Sequence, residues 1–148
     1  MSNDDSIPFQ TTLHVRDHCL CLHVQRAARA LARRFDDALR PLGINNGQFS
    51  LLMSLNRPEP PNMAQIASVL AMDRTTLTAA LKPLERQGLL TVTPDPHDRR
   101  HRRVALTAAG HAVLRRALPI WGETHAVIDQ QLEDGGPARL RGDLQRIA

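Results

Sequence analysis

The chain has 148 residues, 42% of them apolar, with three Phe, one Trp, no Tyr and a formal net charge of +4. That describes one ordinary domain whose core is built from Leu and Ala, a composition that favours helices. No run of 18 apolar residues occurs, so no membrane-spanning helix is expected, and the start Met-Ser-Asn-Asp-Asp-Ser-Ile-Pro lacks the basic and apolar regions of a secretion signal, so a cytoplasmic protein is expected.

Residues 1–14 show no apolar period and are expected to be disordered or frayed. From Val15 to Leu42, the apolar residues Leu20, Val24, Leu31, Phe35, Leu39 and Leu42 recur at helical steps, with Arg and Asp filling the other positions. This predicts one long amphipathic helix over 15–42, stopped by Pro41-Leu-Gly43. Cys19 and Cys21 are two residues apart and cannot staple a small fold; reduced thiols are expected.

Asn45-Asn46-Gly-Gln48 and Asn62-Met-Ala-Gln65 both have the form of a helix cap with Gln three residues on. The first opens a short apolar helix ending near Leu55, and the second opens Ile66-Ala-Ser-Val-Leu70. After a three-residue break, Ala71-Met-Asp73, a further helix begins with Asp73 as its cap. It carries Leu77, Ala80, Leu81 and Leu84 on one face and Arg74, Thr75, Thr78 and Lys82 on another. Pro83 predicts a bend beyond residue 82.

Gly88 supplies a positive-φ stop, and two short alternating runs follow at once. Leu90 and Val92 alternate with threonines, and Val104 and Leu106 alternate with Arg103 and Ala105. The link between them holds Arg99, Arg100, Arg102 and Arg103 and nothing apolar except prolines, so a solvent-projecting hairpin is predicted. Helix, tight break, helix, hairpin is the order of a winged helix-turn-helix. Thr107 reads as a cap for a helix over about 108–118. A break at Pro119-Ile-Trp-Gly122, a helical pattern to Glu133 and a last helix over 138–148 complete the chain. The expected architecture is therefore mainly α with a small β-hairpin wing. Its parts are residues 15–42 as an N-terminal dimerisation helix, 43–107 as the winged module and 108–148 as C-terminal dimerisation helices, since the end segments are too thin to form a core alone.

The charge is localised. Residues 73–103 hold seven Arg and Lys against four acids, whereas residues 104–148 balance at five against five. Guanidinium keeps its charge, pairs phosphate through two bonds and fits a narrow minor groove, which points to nucleic acid. No nucleophile is placed beside a base with an orienting third group, and no glycine-rich phosphate loop occurs. The chain therefore reads as a non-enzyme needing no cofactor. His14 and His18 with Cys21 could face a metal, but no fourth ligand is evident and no metal site is assigned. His97 and His101 flank the wing arginines and would add positive charge below about pH 6.5.

Several separated motifs resemble the MarR family of winged-helix transcriptional regulators. They are Pro-Leu-Gly-Ile-Asn-Asn-Gly-Gln-Phe (41–49), Gln-Ile-Ala-Ser-Val-Leu (65–70), Asp-Arg-Thr-Thr-Leu-Thr (73–78), Leu-Glu-Arg-Gln-Gly-Leu (84–89) and Asp-Pro-His-Asp-Arg-Arg (95–100) leading into Val-Ala-Leu-Thr-Ala-Ala-Gly (104–110). The resemblance implies a homodimer on double-stranded DNA, addressing two half-sites of a pseudo-palindromic operator, with repression relieved by a small-molecule effector. It assigns base reading to Arg74, Thr75, Thr76, Thr78 and Lys82, the minor-groove wing to Asp98 and Arg100, and phosphate contacts to Arg99 and Arg103. The family's hydroperoxide-sensing branch has a reactive cysteine near the place of Cys21, which makes a thiol-based oxidant sensor the alternative. Its supporting tyrosines are replaced here by Phe35 and Asn46. A winged helix used for protein–protein contact is the other alternative.

Overall fold

The structure, a computed structural model, describes residues 5–148. Helix α1 (Phe9–His18) opens directly after Pro8, whose carbonyl accepts from Thr11 N–H at 2.9 Å. Residues 9–14, expected to be disordered or frayed, are thus helical; residues 1–4 of that stretch lie outside the described residues. Helix α2 (Leu20–Leu39) follows after a single extended residue, Cys19, at φ −72°, ψ 107°. The continuous helix expected over 15–42 is therefore broken at residue 19. Cys19 ends α1 through its own N–H, bonded to Val15 O at 2.8 Å. Its sulfur meanwhile accepts Leu22 N–H at 3.5 Å, the place a Ser or Asn oxygen takes at a helix start.

The chain divides into two units, Met1–Arg34 and Phe35–Ala148. Among the described residues of the first, none is buried.

The second unit holds the core. Phe35 and Leu39 at the end of α2 are buried, and a short 3-10 turn, Arg40–Leu42, closes on Gly43 at φ 74°. Helices α3 (Asn46–Ser54) and α4 (Met63–Leu70) each start with a reciprocal box. Asn45 accepts from Gln48 N–H while the Gln48 side chain accepts from Asn45 N–H, and Asn62 and Gln65 repeat the arrangement. Helix α4 ends on Ala71 in the left-handed region, φ 51°, a conformation that a Cβ disfavours by about 1–2 kcal/mol. The turn so made brings α5 (Arg74–Arg86) across α4. Helix α5 continues through Pro83, its apolar stripe Leu77, Leu81 and Leu84 buried.

Strands β1 (Leu90–Pro94) and β2 (Arg102–Leu106) pair antiparallel, with Leu90 opposite Leu106, Val92 opposite Val104 and Pro94 opposite Arg102. One face of the hairpin therefore carries Leu90, Val92, Val104, Leu106 and, at its outer end, Arg102. Leu90 and Val104 are fully enclosed. On its other edge β2 touches the chain before α4: Val104 N–H bonds Pro61 O at 3.0 Å, and Asn62 bridges Arg103.

Helix α6 (Ala108–Asp129) is capped by Thr107, which accepts Gly110 N–H, and it starts hard against the hairpin. A Cβ on Gly110 would lie 2.1 Å from Leu89 O, so only glycine allows this approach. The break expected at 119–122 is absent and α6 runs straight through it. Pro119 and Arg115, whose carbonyl loses its helical partner, are both exposed residues. Helix α7 (Gly136–Ile147) starts after Gly135 at φ 75° and buries no residue.

Candidate nucleic-acid interface

The N-terminus of α5 is built by Asp73. Its carboxylate accepts both the backbone N–H and the hydroxyl of Thr76, each at 2.8 Å, and these bonds hold the Asp73 pKa below the usual carboxylate range. Thr76 is thereby engaged in the cap. Thr78 donates its hydroxyl to Arg74 O at 2.8 Å, so what it offers outward is lone pairs. Arg74, Thr75 and Lys82 are exposed and make no ion pair among the described residues. The polar face of α5 expected from sequence is exposed, but two of its three hydroxyls also hold the helix together.

The wing tip is organised by two aspartates. Asp98 receives Arg100 through both carboxylate oxygens, from Nε and Nη2 at 3.0 Å, and also accepts Arg100 N–H at 3.1 Å. The Arg100 side-chain bonds, then the backbone bond, push the Asp98 pKa down, and Asp98 in turn raises that of Arg100. Two of the five guanidinium N–H groups are used, which leaves three for a partner. The arginine is fixed in direction yet 87% exposed, an arrangement that presents charge without wasting order on binding. His101 Nε2 lies 3.6 Å from the same carboxylate.

Asp95 shapes the base of the tip. It accepts His97 N–H at 2.8 Å, the main cause of its lowered pKa, and it sits 3.4 Å from Arg103 Nε. Arg103, expected from sequence to contact phosphate, is drawn back to Asp95 and only 28% exposed. Strand alternation explains this: Arg103 shares the face of Thr93, whereas Arg102 shares that of Val92 and Val104. Arg102 consequently lines a concavity of about 480 Å³ between the hairpin and α5, together with Arg74, Thr78, Lys82 and Glu85. Sequence reasoning passed over Arg102, although its parity with Val104 was there to be used. Arg99 is exposed.

Elsewhere, Cys21 is exposed and accepts from the Gln25 amide at 3.3 Å. His14 and His18 stack at 4.2 Å, and among the described residues no three His, Cys, Asp or Glu side chains gather into a metal-holding group. An apolar groove of about 430 Å³ lies between α3, α4 and α6, walled by Phe49, Met53, Leu70, Leu118 and Trp121. No described helix is long and apolar enough to cross a membrane.

A helix-turn-helix joined to a two-stranded wing, with cations on the second helix and the wing tip, defines the class of winged helix-turn-helix proteins. The MarR family profile matches residues 44–101. The chain is 36% identical to the Mycobacterium tuberculosis transcriptional regulator MosR, solved with DNA, at a TM-score of 0.80 over 88% of this chain and 93% of that one. It superposes on a cysteine-to-serine mutant of Escherichia coli MarR, complexed with operator DNA, with a TM-score of 0.82 at 25% identity, covering 91% of this chain and 97% of that one. It is also 29% identical, over 78% of both chains, to the organic hydroperoxide resistance transcriptional regulator of Bacillus subtilis. The chain belongs to the MarR family of winged-helix transcriptional regulators.

Proposed function

We propose that this regulator is a cytoplasmic homodimer that binds a pseudo-palindromic operator on double-stranded DNA. It represses the adjoining promoter and is released by a small molecule. The observation that carries the reading is the Asp98–Arg100 clamp: an arginine held by two side-chain bonds and still exposed at a solvent-projecting tip. Arg100 enters the minor groove, Arg74, Thr75, Thr76, Thr78 and Lys82 face the major groove, and Arg99 meets phosphate. Arg103, through Asp95, fixes the base of the wing.

Dimerisation is supported by the apolar side chains left open on the terminal helices, Leu140, Leu144 and Ile147 among them. The effector's place is the crevice between these helices and the winged module, where the groove at Phe49 and Trp121 accepts an apolar body. Release follows only if the effector binds better to a conformation with the wrong half-site spacing.

The test is selection of bound duplexes from a random pool, followed by footprinting. Two half-sites about one helical turn apart, with affinity falling steeply as salt rises, are expected. A flat salt response with no enriched site would favour the protein-contact alternative.

The thiol-sensor reading is favoured by one observation, the exposed Cys21 with an amide donor on its sulfur, and by likeness to the hydroperoxide resistance regulator. Under it, Cys21→Ser abolishes peroxide-induced release; release that persists in the variant assigns Cys21 to structure alone.

A further inference from the structure

We propose that Arg102, with Lys82 beside it at the far end of the major-groove face, seats the sugar–phosphate strand that runs between the two grooves the protein enters. This rests on the DNA reading above. If α5 lies in the major groove and the wing tip in the neighbouring minor groove, the strand dividing those grooves must pass between α5 and the hairpin. The concavity occupies that position. Its walls hold three cations, Arg74, Lys82 and Arg102, and one anion, Glu85, so it is net positive, as an anion's seat requires.

Register places Arg102 there. It stands opposite Pro94 at the outer end of the hairpin face whose inner residues, Val92 and Val104, pack toward the core. Arg102 is exposed, and among the described residues it has no carboxylate within ion-pair distance, in contrast to Arg100 and Arg103. Lys82 faces the same space from α5, one turn beyond Thr78. Glu85 borders the seat one turn further along and opposes an anion there, which sets the strand's position toward the helix start.

The experiment compares the full chain with Arg102→Ala, Arg102→Lys and Glu85→Gln on the selected operator. Single phosphates are replaced in turn by neutral methylphosphonates. Arg102→Ala removes one cation from each protomer, so it should weaken binding roughly tenfold per half-site on every duplex sequence alike and reduce the salt slope by about 1.8. Arg102→Lys, which keeps the charge, should retain the slope. Glu85→Gln should tighten binding about two- to threefold by removing a like charge from the phosphate. One methylphosphonate position, between the two footprinted grooves, should weaken the wild type and leave Arg102→Ala no weaker than before. An unchanged salt slope in Arg102→Ala overturns the proposal, as does a loss limited to certain base sequences or weaker binding by Glu85→Gln. Arg100→Ala separates the two readings: if it weakens binding while Arg102→Ala does not, only the strand seat falls.

Discussion

Leu77, Leu84, Leu90 and Val104 of the winged module are closed off from water, whereas Leu140, Leu144 and Ile147 of α7 and Val127 of α6 remain 37–62% exposed. Both sets are apolar residues at regular helix or strand spacing. The difference lies in what surrounds them. In the module, α3, α4, α5, the hairpin and the start of α6 close over one another, so each buries its stripe within the chain. The stripe on α7 stays open among the described residues of its own unit, and burying one leucine is worth about 1.5–3 kcal/mol. Such an open, one-sided apolar face is what the proposed dimer would cover. The module thus closes its own core, whereas the terminal helices leave apolar surface open.

The largest effect should come from breaking assembly while sparing the module. Leu144→Glu puts a charge into the open stripe of α7. The variant should sediment as a monomer and lose about 10²–10⁴-fold in operator affinity, because the second half-site no longer binds as an intramolecular event. A monomeric variant with wild-type affinity would detach the terminal helices from function.

Gly110→Ala attacks the module instead. Its new Cβ would meet Leu89 O at 2.1 Å, backbone that cannot turn aside. A loss of about 3 kcal/mol or more in denaturant unfolding is expected. A stable variant would mean that α6 can shift from the hairpin.

Arg100→Ala acts on the tip alone and should cost about 1–3 kcal/mol of operator affinity with dimer and fold unchanged. It should also raise the pKa of Asp98, measurable by NMR titration of the carboxyl, because the Arg100 side-chain bonds are the main cause of its depression. The sign follows from linkage. A carboxylate whose folded pKa is lowered supports the wing fully above its unfolded pKa, and that support is lost as pH falls through the folded value. Acid should loosen the wild-type tip later than the variant's.

The local pieces of the fold were legible in residues one to four apart. The caps Asn45, Asn62, Asp73 and Thr107 announce helices because each needs only a side-chain oxygen and the amides three residues on. The alternation around Val92 and Val104 announces the hairpin, whereas the pairing of Asp98 with Arg100 is implied only by the family resemblance. The errors arose where a local rule was outweighed. Pro119, an exposed residue, did not stop α6, and Cys19 split a helix that its neighbours would have continued.

By itself, then, the order of residues determined the capped helix starts at Asn45, Asn62, Asp73 and Thr107, the hairpin after Gly88 and the concentration of positive charge in residues 73–103, all consequences of short-range bonding and periodicity. Only the folded arrangement decided that Arg102 looks toward α5 while Arg103 turns back to Asp95, and that Thr76 serves its own helix cap. Those outcomes depend on which face of a strand meets which helix and on partners that compete for the same donor. Such choices are made across the fold, between groups that chain position alone does not bring together.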